Sequence, residues 1–270
     1  MSAASQTTLP TLFISHGGGP WPYIPQMKEQ FKKTAQWLTD LPNTLPEKPK
    51  AILSISGHWE EETVTVSSAK NPEMIFDYSG FPEHTYHIKY PAPGSPEIAK
   101  RIHGLLTQAG IKNNDDATHG FDHGTFVPLV LMYPKAEVPV ISMSIKANYS
   151  PLEHLKIGQA LKPLRDEGVL IIGSGLSYHN MRGFGSAGAG PVSQQFGQWL
   201  ETTISESNPE KRNQLLQEWE KAPAARLAHP YEDHLVPLMV VAGAAGNDVG
   251  HVEFVDHVMG VDMASYRFGK

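Results

Sequence analysis

Three short apolar runs in this chain end in the same way, and no other feature restricts its fold so strongly. Thr11-Leu12-Phe13-Ile14-Ser15 runs into His16. Ala51-Ile52-Leu53, with Ile55, runs through Ser56-Gly57 into His58. Val169-Leu170-Ile171-Ile172 runs through Gly173-Ser174-Gly175 and on to His179. Short continuous apolar runs bounded by small residues are the pattern of strands buried on both faces, as in a parallel sheet. Open α/β sheets bind ligands beyond the carboxyl ends of their strands. Three strands that each deliver a histidine to that edge predict one site assembled from distant parts of the chain.

The intervening segments supply the helices. Residues 24–41 place Met27, Phe31, Ala35 and Leu38 near helical spacing, and 43–50 is a proline-rich connector. Residues 64–67 alternate as a half-exposed strand would. Residues 95–109 read as a helix with Ser95 as cap, Pro96 in the first turn and Gly110 as stop. Strands are expected at 138–144 and 169–174, and helices at 151–165, 193–205, 209–221 and 235–245. Trp199 and Trp219 are expected to face inward. Residues 252–254 and 265–268 read as edge strands, and the glycine-rich 183–190 as a flexible loop. No repeat or linker is evident. Strand–helix alternation predicts one α/β domain over residues 1–270, with a central, mostly parallel (mixed) sheet flanked by helices.

Composition narrows the chemistry. The net charge of −6 and the lack of basic clusters argue against nucleic acid or an anionic membrane as partner. No apolar run approaches the roughly 18–20 residues of a membrane span. The N-terminus lacks a secretory pattern, so a cytoplasmic location is expected. With no cysteine, any metal site must use imidazole, carboxylate or water. Thirteen histidines in 270 residues exceed the typical share of about 2%.

Neutral imidazole serves both as a metal ligand and as a proton carrier near neutrality. His16, His58 and His179 follow strands, and His234 opens a helix. Ligands scattered in this way are typical of catalytic metal sites, which keep one position open. His119 and His123 form a further glycine-spaced cluster. His84, His87, His103, His154, His251 and His257 lack such context and are expected to be structural. The aromatic segment 74–93 reads either as an ordinary surface loop or as a rim over a flat substrate. Trp21, Tyr23, Phe76 and Tyr78 are candidate walls. A serine nucleophile at Ser174 is a competing possibility, but the GxSxG elbow is absent.

FISHGGGP at 13–20, ILSISGHWE at 52–60, HGFDHGTFVPL at 119–129, GSGLSYHN at 173–180 and HPYEDHLVPL at 229–238 run through nearly the whole chain. In that order they resemble the class III extradiol ring-opening dioxygenases, in the LigB-like, DOPA-dioxygenase-like branch. The resemblance implies a LigB-like fold and one divalent metal held by His16, His58 and His234, with no organic cofactor. His234 stands where better-known relatives carry glutamate, so the donor set suits Fe(II) for ring cleavage and equally Zn(II). The resemblance makes His179 the acid/base, with a fourth-ligand role also open to it. It makes His123 a contact to the substrate hydroxyl or to oxygen. The implied substrates are a small catechol and O2, and neither the particular catechol nor the oligomeric state is implied. Lys146 and Arg182 are possible anchors for a substrate carboxylate. Two other function classes compete: a zinc hydrolase, and a non-enzymatic interaction protein of the Memo type.

Overall fold

The apolar runs do form strands, and the histidine-bearing ones lie side by side. The computed structural model describes residues 7–270. Its strands are β1 (Thr11–Ser15), β2 (Ala51–Glu61), β3 (Thr65–Ser67), β4 (Asn114–Asp116), β5 (Val140–Lys146), β6 (Val169–Gly175), β7 (Gly250–Val258) and β8 (Val261–Phe268). They build a mixed sheet in the order β4-β3-β5-β2-β6-β1-β8-β7. The middle four, β5-β2-β6-β1, are parallel, and β8 and β7 add antiparallel strands at one side. The carboxyl ends of β2, β6 and β1 therefore share one edge. That is why residues 16, 58 and 179 can meet.

The helix Val236–Ala245 is buried along its whole length and lies against this parallel core. It crosses the helix Pro151–Leu161 at close range. A Cβ added at Gly158 would lie 2.0 Å from the carbonyl oxygen of Val240, and one at Gly243 would lie 2.2 Å from that of Leu155. Its last carbonyls have no helical partners, and two buried arginines supply them. Arg165 donates to the carbonyls of Leu9, Ala244 and Ala245, and Arg212 to those of Ala242, Gly246 and Asp248. Both cations sit at the negative end of the helix dipole. Burial lowers Arg212 to about 10, so it stays charged at neutral pH.

Several elements differ from the sequence expectation. The helix expected at 24–41 breaks at Phe31 (φ −96°, ψ 20°) into Pro25–Gln30 and Lys32–Asp40. Phe31 stacks on Trp21 there, and the turn brings Thr34 to the Asp256 carboxylate, which accepts from its amide and hydroxyl. The helix expected at 151–165 stops at Leu161, because Pro163 has no N–H to continue the ladder. The one expected at 209–221 ends at Gln217, before a short 3₁₀ turn at Trp219–Lys221. The strand β3 is buried rather than half-exposed, since β4, which the sequence pattern did not reveal, pairs outside it. The segment 265–268 is not an edge: β8 lies between β1 and β7, with Tyr266 stacked on Phe13. Trp219 is buried as expected, whereas Trp199 is half-buried.

Two stability predictions follow from this frame. Arg212→Leu leaves the buried carbonyl of Ala242 and the part-buried ones of Gly246 and Asp248 without their donor and should cost about 1–3 kcal/mol, read from urea denaturation midpoints. Burial lowers His154 to about 4 in the fold, against an ordinary value of 6.5. A base depressed by folding stabilises the protein fully above its unfolded value, and that contribution fades as pH falls from 6.5 toward 4. Denaturation at a series of pH values should show this loss, and His154→Gln should flatten part of it. An unchanged slope in the variant would remove His154 from the account.

Candidate metal centre

Close backbone approach builds the site. A Cβ at Gly57 would lie 2.7 Å from the carbonyl oxygen of Asp233, and one at Gly175 would lie 2.1 Å from that of His234. Gly57 lies just past the last residue of β2 paired with β6, and Gly175 ends β6; only glycine at these two positions lets the 233–234 turn settle there. The amide of Leu176 donates to the His234 carbonyl, and that of His179 to the Ala228 carbonyl. His16 is pinned through its backbone, its amide donating to Gly175 and its carbonyl accepting from the Trp21 indole. His123 opens the helix His123–Met132. Asp122 caps that helix by accepting from Thr125, and ties it to β2 by accepting from the Ser56 hydroxyl.

The five expected site histidines form one cluster. Nε2 of His58 lies 3.1 Å from Nε2 of His16 and 3.1 Å from Nε2 of His234. His123 packs its ring 3.9 Å from that of His58, and His179 stacks 3.6 Å from that of His234. His16, His123 and His234 are buried, and His58 and His179 are half-buried.

Nδ1 of each ring faces an acceptor. The Ser174 hydroxyl spends its single hydrogen on the Gly124 carbonyl, so at 3.0 Å from His16 it must accept from Nδ1–H. Carboxylates can only accept, and they face Nδ1 of the other four rings. Asp233 takes His234 at 2.7 Å and His179 at 3.3 Å; Asp77 takes His123 at 2.9 Å and lies 3.5 Å from His58. His16, His123, His179 and His234 therefore carry hydrogen on Nδ1 and a lone pair on Nε2, and Asp77, 3.5 Å from Nδ1 of His58, favours the same form there. Three such lone pairs facing one another repel unless a cation sits among them.

A proton is a poor candidate for that cation. Burial, reinforced by the neighbouring histidines, holds His16 and His58 well below the usual imidazole range. The same burial brings His234 down to about 4. Tetrahedral zinc with nitrogen ligands at about 2.0–2.1 Å needs nitrogens a little over 3 Å apart. The residues present fit a divalent metal. Side chains with a donor atom each within 4.8 Å fall into two groups, His16–His58–His123 and His179–Asp233–His234. The 3.1 Å contact between His58 and His234 joins the groups, and it favours His234 over His123 as the third donor.

Burial alone would raise Asp77 and Asp233, but hydrogen bonds from their histidines outweigh it and hold both carboxyls below the usual range. Asp122, with no such donor beyond Ser56 and Thr125, is pushed up by burial and by Asp77 to about 6.

The aromatic segment 74–93 is fastened to the site rather than loose. The Ile75 amide donates to the Phe121 carbonyl, the Phe121 amide donates to the Glu73 carbonyl, and Asp77 holds His123. Tyr78 lies 6.0 Å from the His123 ring and packs against Phe81 and Tyr86. Phe81 covers Gly19, whose φ of 53° and lack of a Cβ make room for it. Tyr78 and Phe81 thus form a rim. Trp21 is wholly buried against Phe31 and forms no wall. Ser174 has both its hydrogen and an acceptor position engaged, which leaves no free nucleophile. Lys146 is paired with Glu153, and Arg182 is exposed. His119 stacks on Trp59 outside the cluster. Asp77 and Asp233 went unnoticed in the sequence, although Asp233 precedes His234 directly. A depression of about 440 Å³ lined by Leu45, Lys48, Tyr133 and Glu137 lies at the amino ends of β2 and β5, on the opposite edge.

If the facing nitrogens hold the metal, His234→Ala should abolish stoichiometric zinc or iron binding, whereas His123→Ala should keep it. Elemental analysis after dialysis distinguishes them, and the reverse pattern would make His123 the third ligand.

Residues 10–267 match the family described as the catalytic LigB subunit of aromatic ring-opening dioxygenase. A 4,5-DOPA dioxygenase extradiol of Beta vulgaris is 44% identical over 241 residues, covering 88% of this chain and 87% of its own length. A protein of the same name from Escherichia coli K12 is 32% identical over 264 residues, covering 97% and 93%. The crystal structure of an uncharacterized Escherichia coli K12 protein superposes with a TM-score of 0.77 at 28% identity, covering 97% of this chain and all of that one.

Proposed function

Because the chain belongs to the family of the catalytic LigB subunit of aromatic ring-opening dioxygenases, we propose that its five-histidine cluster opens a catechol ring beside the diol, with His16, His58 and His234 as metal ligands. It is an extradiol dioxygenase, an enzyme acting on a small aromatic substrate with O2. One observation carries the assignment of residues: Nε2 of His58 lies 3.1 Å from Nε2 of both His16 and His234, while an acceptor faces Nδ1 of each ring. Fe(II) is the metal for turnover, and zinc is a second occupant that the same nitrogens accept. When bound, the divalent ion would lower the pKa of the catechol hydroxyls and bring substrate and oxygen together.

The remaining chemistry belongs to this chain's own side chains. His179 presents an Nε2 lone pair beside the ligand His234, and takes the proton from a substrate hydroxyl there. Asp233 holds the opposite edge of its ring, so the imidazolium that forms is stabilised where it stands. His179 then returns the proton as the ring opens. His123, buried and fixed by Asp77 on both its amide and its ring, presents Nε2 to the substrate oxygen or to dioxygen. Tyr78 and Phe81 at the rim exclude water from a flat ring. The names borne by the relatives make DOPA the first catechol to try. A cytoplasmic setting, which keeps iron ferrous, belongs to the same proposal.

Anaerobic reconstitution with Fe(II), then oxygen uptake on a catechol panel that includes DOPA, tests this reading. Uptake with a new visible absorbance is expected from the iron form alone. None across the panel, with zinc bound tightly, would turn the assignment toward hydrolysis. His179→Ala should lower kcat by roughly 10²–10⁴-fold while metal content stays at the wild-type level. Loss of metal in that variant would make His179 a ligand.

A further inference from the structure

Behind the facing nitrogens, two carboxylates repeat one geometry. Asp77 places both oxygens 2.9 Å from Nδ1 of His123, accepts from its amide at 3.0 Å, and lies 3.5 Å from Nδ1 of His58. Asp233 accepts from Nδ1 of His234 through Oδ2 and faces Nδ1 of His179 through Oδ1. Each carboxylate thus touches one proposed metal ligand and one proposed proton-handling ring. The rings within each couple also pack together, His58 on His123 and His179 on His234. His16 alone is held by a hydroxyl, that of Ser174.

We propose that Asp77 and Asp233 are positioning residues that fasten His123 to His58 and His179 to His234, locking both rings of each couple with hydrogen on Nδ1. The pairing rests on the ligand and acid/base roles assigned above. Asp233 turns a different oxygen to each ring of its couple, and Asp77 sets both of its oxygens against His123 with one of them toward His58, an arrangement in which both ends of the group must accept. An amide offers one accepting oxygen, and its NH2 must donate. In an asparagine variant one ring of the couple must therefore turn its hydrogen to Nε2. If that ring is a ligand, its lone pair is lost to the metal; if it is His123 or His179, a proton acceptor becomes a donor. The carboxylates also link the two jobs in space. A shift of His58 or His234 on metal loading moves the anchor of the neighbouring proton-handling ring. Through Asp77, the aromatic segment 74–93 becomes part of this linkage.

Nitrogen-15 imidazole spectra of the metal-free, full-length chain read the hydrogen positions directly, independent of turnover. The wild type should show Nδ1–H forms for His58, His123, His179 and His234. Asp233→Asn should turn one ring of the His179–His234 couple and leave the other couple unchanged, and Asp77→Asn should do the converse. Iron affinity should fall by roughly 10–100-fold where a ligand ring has turned, and kcat at saturating iron where a proton-handling ring has. Asparagine variants with four unchanged rings and wild-type iron affinity and kcat would overturn the proposal, as would changes spread over both couples at once. Should an asparagine variant not fold, Asp77→Glu or Asp233→Glu replaces it. These variants keep the carboxylate but displace it, so hydrogen positions should hold while kcat falls about tenfold or more. Wild-type kcat and iron affinity there would equally sink the idea. Failure of the underlying assignment looks different: His234→Ala would retain iron while the ring-specific spectral changes persisted.

Discussion

Everything at this site depends on holding Nε2 of His58 within 3.1 Å of Nε2 of both His16 and His234. Left alone, that arrangement is unfavourable, and the ordinary relief would be a proton. Burial closes that route, because a charged imidazole would lose its hydration; the depressed titration of His16, His58 and His234 records the loss. Near neutrality a divalent cation is the remaining relief. Donors already facing one another need little rearrangement to take such an ion.

Such a site needs rigid supports. His58 lies on β2 and His16 directly follows β1, two parallel strands that flank β6 and are held in register with it by backbone ladders. His234 comes from the turn before the helix Val236–Ala245. That helix cannot slide, since Gly158 and Gly243 let it sink into Pro151–Leu161 and two buried guanidiniums hold its far end. Arg165 and Arg212, far from the histidines in sequence and chemistry, therefore help to keep His234 in place. Gly57 and Gly175 do the same at the near end, where any side chain would push the 233–234 turn off the sheet.

What was legible in the sequence follows from this division of labour. His16, His58 and His179 could be found because each follows an apolar run, and the sheet then brings strand ends together whatever the intervening chain does. The glycines beside them signalled close approach. Asp77 was hidden because it lies in an irregular aromatic segment with no period to read. Its position is set by a contact between residues 73–75 and Phe121, which only the folded chain reveals. Helix breaks at Phe31 and Pro163, and the burial of β3, likewise depended on tertiary partners. Ser174 illustrates the converse. Its Gly-Ser-Gly setting suggested a nucleophile or a tight turn, while the structure uses its hydroxyl to fix the hydrogen of His16.

The replacement of a ligand glutamate by His234 changes where charge resides without removing it. In a 2-His-1-carboxylate centre one negative charge touches the metal. Here the three proposed ligands are neutral, and the negative charge stands one layer out, on Asp77 and Asp233, both held ionised by the histidines that donate to them. Two carboxylates balance a divalent ion in full. Asp122, the third acid nearby, is pushed up to about 6 by burial and by Asp77, so it loses its charge only as pH falls toward that value. Moving the charge outward leaves the metal more electron-poor than a directly bound carboxylate would. It also gives each carboxylate a second edge, and that edge is the one holding His123 or His179. A directly bound glutamate could not serve a proton-handling histidine in this way, so an all-histidine first layer and paired outer carboxylates form one arrangement.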